Sequence, residues 1–126
     1  MAVGIDKPHK DLDVWKMSME LCRDVYKISK ELPDEEKYGL TSQIKRAVIS
    51  IPSNIAEGAA RNSRKEFIQF LSIAQGSLAE LETQLVLCCE YLDLISEDKL
   101  ANIFVNLERI SKMITGLKKS LRGIYK

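Results

Sequence analysis

Few residues in this 126-residue chain are of a kind that does covalent chemistry. One histidine, His9, and three cysteines, Cys22, Cys88 and Cys89, are its whole stock of imidazole and thiol. Nucleophilic catalysis by a thiol needs a base held against it. His9 stands in a polar opening segment with no helical pattern, so no such pair is expected. No CxxC, HxxxH or paired Glu-x-x-His spacing occurs, which leaves no zinc or di-iron ligand set. There is no phosphate loop of the GxxxxGK type and no GxGxxG. The acidic clusters read as solvated surface. The expectation is a protein that is not an enzyme, with no catalytic residues, no metal and no cofactor. An odd number of cysteines, two of them adjacent, makes a poor disulfide framework. All three lie in apolar helical patterns and are expected to be reduced, buried thiols of a cytoplasmic protein.

Binding chemistry is better represented. The stretch SIPSNIAEGAARNSRKEF, Ser50–Phe67, combines a proline inside a helical pattern, a polar stripe and a basic turn. Pro52 has no amide proton and crowds the carbonyl of Val48, so a kink is expected there, with Ser50, Ser53 and Asn54 bonding the groups it frees. Arg46, Ser50, Asn54, Glu57 and Arg61 recur at helical spacing and form one polar stripe. That stripe is either a solvated face carrying a weak Glu57–Arg61 pair, or a polar seam at a subunit contact or ligand groove. Beyond it, Arg61, Arg64 and Lys65 crowd the start of the next helix. Cations there oppose the helix macrodipole, at about 0.3–1 kcal/mol each, so an anionic partner explains them better than local stability does.

The elements that must position these groups are helices. Apolar residues recur every three to four positions from Val14 to Leu32, with Asp11 or Asp13 as the cap and Pro33 as the stop. A second helix is expected over 41–60. A third opens at Ser63, where SRKE is a capping box in which Ser63 caps the Glu66 amide and Glu66 reaches back. It continues for about 30 residues, roughly 45 Å. Ser96 caps the fourth, and Gly123 lies where that helix should stop. No stretch alternates as a strand would. The fold class is therefore all-α: an antiparallel up-down-up-down four-helix bundle over residues 11–126, preceded by a flexible arm, 1–10. The third helix is richer in apolar residues than one buried stripe requires: Ile68, Phe70, Ile73, Val86 and Cys89 lie beside or off it. That excess points to a second buried face and a homo-oligomer.

At 45% apolar residues the chain can build one core, and its net charge of +1 gives no overall basic signature. There is no signal-peptide-like run at the start and no stretch of 18 apolar residues, so neither export nor membrane insertion is expected. Charge is nevertheless sorted. In an up-down-up-down bundle the start of helix 1, the end of 2, the start of 3 and the end of 4 share a pole. Residues 112–126 carry Lys112, Lys118, Lys119, Arg122 and Lys126 and no acid, and they join the Arg61, Arg64, Lys65 turn there. From Glu66 to Asp98 there are seven acids and no Lys or Arg. Part of this matches the macrodipole, since Lys118, Lys119 and Arg122 belong at a helix C-terminus. In a ring with parallel axes the basic pole would be multiplied and would suit a phosphate backbone. Aromatics for base stacking are few at that pole, Trp15 and Tyr125. A protein-interaction scaffold is the other reading of the same bundle.

Three segments carry a family resemblance: DLDVWKMSMEL, YGLTSQIKRAVISIPSNIAEGAAR and EFIQFLSIAQGSLAELETQL. Together they resemble the four-helix-bundle proteins encoded by intervening sequences in bacterial 23S rRNA genes, over roughly Leu12 to Leu121. The resemblance implies an antiparallel bundle that assembles as a homopentamer. A related branch, the accessory variability proteins of diversity-generating retroelements, is basic and partners a reverse transcriptase with its nucleic acid, which suggests RNA or DNA as a partner here. The resemblance carries over no catalytic residue. The positions matching its signature are Pro52, Ser53, Asn54, Glu57 and Gly58, with a structural or interface role.

Overall fold

The computed structural model describes residues 9 and 12–123. The flexible-arm expectation for residues 1–10 otherwise lies outside the described residues, as do Asp11, Tyr125 and Lys126. Among the described residues four α-helices make up the fold: α1 (Asp13–Ser29), α2 (Leu40–Ala59), α3 (Arg64–Val86) and α4 (Glu97–Leu121). No strand occurs among the described residues.

Each helix packs on two others in cyclic order, α1 on α2, α2 on α3, α3 on α4 and α4 on α1, with α2 against α3 the most extensive pair. The apolar stripes face inward. Leu21, Ile44, Ile51, Leu81, Leu100 and Ile110 are almost completely buried. Burying a side chain of this size stabilises by about 1.5–3 kcal/mol, so the inward stripes, rather than helix propensity, hold the bundle together.

Several helix ends differ from the sequence expectation. α1 starts at Asp13 with Leu12 in the cap position and no side-chain cap bond, so Asp13 sits inside the first turn and does not cap. The helix stops at Ser29. A turn closed by the Leu32 amide on the Ser29 carbonyl, 3.1 Å, then leads to the extended Pro33. Leu32 remains in the core at 7% exposure because that turn folds it back. The cap of α3 is as expected, the Ser63 hydroxyl accepting from the Glu66 amide at 3.2 Å. The return half of the box is absent: the Glu66 carboxylate lies 3.8 Å from the Arg61 guanidinium. Ser96 occupies the cap position of α4, but its side chain makes no cap bond. Gly123 ends the chain's last helix with φ 68°, the left-handed geometry that glycine adopts without Cβ strain.

α3 does not run to residue 92 as a regular helix. Leu87–Tyr91 widens into a π turn, with the Leu92 amide on the Leu87 carbonyl at 2.9 Å, and Asp93 at φ 53° turns the chain away.

Candidate nucleic-acid interface and the signature segment

α2 runs unbroken through Pro52. The carbonyl that would have received the missing amide is that of Val48, four residues earlier. Ser50, Ser53 and Asn54 do not satisfy it. The donor is the Cys22 thiol on α1, 3.3 Å from the Val48 oxygen. A proline in one helix and a cysteine in its neighbour are therefore complementary halves of one device. Burial pushes the Cys22 thiol up to about 11, so it stays protonated and able to donate. Replacing Cys22 by alanine should cost about 1–3 kcal/mol, the penalty of an unpaired buried carbonyl. Cys22→Ser should lose less, and Pro52→Ala, which returns an amide to Val48, should make the cysteine dispensable. Chemical denaturation of the double-mutant cycle checks this: additive losses would sink the pairing.

The other two thiols are free as well. Cys88, completely buried, is raised to about 11 chiefly by burial, and Cys89 is raised by burial and by the carboxylates of Glu90 and Glu97. The unfolded chain ionises near 9 and the folded one later. Thiol-linked stability is thus full below pH 9 and lost as the pH climbs toward 11. Urea midpoints measured from pH 8 to 10.5 should fall, and fall less in a Cys22→Ser variant.

The polar stripe divides. Ser50 and Asn54 turn toward α3: Ser50 Oγ is 2.7 Å from Ser77 Oγ, and Asn54 Nδ2 donates to the Ser50 carbonyl and hydroxyl at 2.8 and 2.9 Å. They form a polar seam inside one chain, between α2 and α3, where the sequence had left open a solvated face, a subunit contact or a ligand groove. Arg46, Glu57 and Arg61 are exposed. The expected pair is present, Arg61 to Glu57 at 3.1 Å. Gly58, the last signature residue, lies where α2 and α3 touch: a Cβ there would come within 2.8 Å of Phe70 Cβ and 2.9 Å of Phe67 Cδ1. Pro52 is buried, and Ser53 is exposed beside a groove of about 390 Å³ between α1 and α2 that His9, Trp15 and Met19 also line. His9 packs edge-on against Trp15, ring centres 4.9 Å apart.

The basic residues fall into two groups. Arg61 is engaged locally, by Glu57, by Glu66 and by the face of Phe70 at 4.9 Å. Arg64 and Lys65, the first two residues of α3, are exposed and form no ion pair among the described residues. On α4, Lys118 donates to the side-chain amide oxygen of Gln75 (Oε1) at 2.9 Å, while Lys119 and Arg122 are exposed. Gln75 is 11 residues into α3, about 16 Å along its axis from Arg64. Lys118 therefore meets α3 well away from the Arg64–Lys65 turn.

A second feature has only a faint signal in the sequence. Between α3 and α4 lies a trough of about 820 Å³, lined by Glu82, Glu90, Glu97, Asp98 and Glu108 and floored by Leu78, Val86, Phe104 and Leu107. The acid run from Glu66 to Asp98 is that signal. Among the described residues no group of three or more potential metal ligands occurs, and no helix is long and apolar enough to cross a membrane.

The sequence model of the 23S rRNA-intervening sequence proteins matches residues 10–116. The chain belongs to that family. The crystal structure of a protein of unknown function from the S23 ribosomal protein family of Bacteroides thetaiotaomicron is similar, with a TM-score of 0.73 and 29% identity. The match covers 84% of this chain and 98% of that one. No curated protein matches the chain. The signature segment and the trough lie within the region matched to the family, and so do the basic residues up to Lys112. Lys118, Lys119 and Arg122 lie beyond it.

Proposed function

We propose that this family member is a non-enzymatic, oligomeric bundle that associates with RNA or DNA through its basic groups. The observation that carries the reading is the placement of Arg64 and Lys65. They stand unpaired at the positive end of α3, where they weaken the helix, and a phosphate backbone is the ligand that would repay the placement.

We read the helices as alternating up and down. Glu31, just past α1, meets Lys99 in the first turn of α4 at 2.7 Å, and Gly58 near the end of α2 meets Phe67 near the start of α3. That course puts Arg64 and Lys65 at the same end as Lys118, Lys119 and Arg122, as two patches facing one way. A ring of subunits with parallel axes, a pentamer on the family resemblance, would repeat both patches around one face. The raised thiol pKa values support the non-enzymatic reading, since a protonated thiol is a weak nucleophile. We place the protein in the cytoplasm.

Binding of labelled structured RNA and of duplex DNA, measured at several salt concentrations on protein of known mass, tests this. Affinity should fall steeply with salt; no binding at low salt would end the nucleic-acid reading. One observation favours a protein-interaction scaffold instead. Tyr38, Tyr91 and Leu92 are exposed at the connections, 89%, 73% and 50%, and exposed tyrosines anchor protein contacts. A protein partner retained from nuclease-treated lysate, together with absent RNA and DNA binding, would select that reading.

A further inference from the structure

The α3–α4 trough is built like a seat for a helix. On α4 its lining residues include Glu97, Ala101, Phe104, Glu108 and Ser111, and opposite them stand Gln75, Leu78, Glu82 and Val86 of α3 and Glu90 of the π turn that follows. Both sets step by three or four residues, so each helix contributes one face and the two faces flank a common channel. From Glu97 to Ser111 is about 21 Å at 1.5 Å per residue, four helical turns. The floor is apolar and the rim carries five carboxylates with no base among the lining residues. Only Glu108 has an ion-pair partner among the described residues, Lys112 at 3.2 Å. Such a channel fits a helix of about 14 residues with an apolar ridge and a basic side next to it.

The chain itself displays such a surface. On α1, Met19 and Tyr26 are seven residues apart on one face and remain 46% and 37% exposed. Lys16, Arg23, Lys27 and Lys30, all exposed, follow the same side of the helix at helical spacing, and Lys45 of α2 lies over the Tyr26 ring at 4.9 Å. The acids of α1 lie farther round: Glu20 is at the edge of the basic face, Asp24 is held by Arg23 at 3.3 Å, and Asp13 is in the first turn. α1 is 17 residues long, enough to fill four turns of the trough. In the cyclic packing order the α1–α2 side of the bundle is opposite the α3–α4 side. One copy can therefore seat its neighbour in the trough while its own α1 remains free for a third.

We infer that the acid-rimmed trough between α3 and α4 receives the basic outer face of α1 from a second copy of this chain. The contact is heterologous, head to tail, and closes into a ring or continues as a filament. It deepens the self-association reading above and rests on it. Met19 and Tyr26 supply the apolar ridge, and Lys16, Arg23 and Lys27, which lie together on one side of it, meet one carboxylate rim. This contact leaves Arg64 and Lys65 outside it.

The test uses three full-length proteins and mass measurement by light scattering. One variant carries Lys16→Glu and Arg23→Glu, the other Glu82→Lys and Glu90→Lys; none of these places a cation in a helix's first turn. Each variant alone should associate at least about a hundredfold more weakly than the parent, because like charges then face each other. An equal mixture of the two should regain assembly, since the unaltered α1 face of one meets the unaltered trough of the other. Parent-like mass for each variant alone would overturn the interface and leave self-association standing. A monomeric parent at high micromolar concentration would overturn both. The parent also gives a check that does not depend on variants folding. A carbodiimide should join Lys16 or Lys27 to Glu82, Glu90, Glu97 or Asp98 between isotopically distinct copies, and failure to find such a link in an assembled parent counts against the interface.

Discussion

Alanine at Gly58 and alanine at Gly76 should move stability in opposite directions. Both glycines are inside helices, where alanine is worth about 1 kcal/mol more than glycine on propensity alone. At Gly76 nothing lies within 4 Å of the added Cβ, so that gain should appear nearly intact. At Gly58 the same atom would come to 2.8 Å from Phe70 Cβ, 2.9 Å from Phe67 Cδ1 and 3.3 Å from the Phe67 carbonyl. Phe67 Cδ1 can swing aside. The Phe70 Cβ is fixed to the α3 backbone and can move only if the helices part. Overpacking of this kind costs about 1–3 kcal/mol and outweighs the propensity gain. Gly58→Val, with two further methyls and a stiff χ1, should lose more still, about 3 kcal/mol. Urea unfolding of the three variants checks the signs. A stabilising Gly58→Ala would mean that α2 and α3 do not approach as closely as described. The outcome also bears on function, because the close approach at Gly58 sets where the Arg61–Lys65 turn leaves α2.

Arg64→Glu with Lys65→Glu should strengthen the fold while weakening nucleic-acid binding. The two residues open α3, and replacing cations by carboxylates in a first turn should recover about 0.3–1 kcal/mol each. If the pair neutralises phosphates, the same change removes two attractions and adds two repulsions. Affinity at low salt should fall by about a hundredfold or more, and the dependence of log K on log salt should flatten by about 0.7–0.9 for each phosphate no longer neutralised. Lys119→Gln with Arg122→Gln supplies the counterpart. These cations suit the C-terminal end of α4, so their loss should weaken the fold slightly as well as the binding. Parallel thermal melts and salt titrations separate the cases. Unchanged affinity in both variants would remove the basic groups from the binding reading.

The intrachain environment of each cation sets how much charge it can offer. Arg61 is equally prominent in the sequence, but two carboxylates and an aromatic face already surround it. Its replacement should have a smaller effect on binding than replacement of Arg64. Formal charge is a property of residue type, whereas the charge presented to a partner depends on what the side chain already touches.

The sequence by itself determined the features that rest on local interactions. Four runs of apolar residues at helical spacing became four helices, because a 3.6-residue period can bury its stripe in only one secondary structure. Ser63 capped α3 and Gly123 closed α4, since a cap needs partners only three to five residues away. The family signature was legible for the same reason, as one continuous segment. The tertiary structure decided whatever joins residues distant in the chain. Cys22 and Val48 are 26 positions apart, and Ser50 and Ser77 are 27 apart. No periodicity indicates that a thiol on one helix answers a proline on the next, or that half of a polar stripe turns inward. The trough is the same kind of case. Its acids could be counted along the chain, but whether they are scattered over solvent or line a channel with an apolar floor depends on how α3 and α4 sit side by side, and that is set by the packing of the whole core.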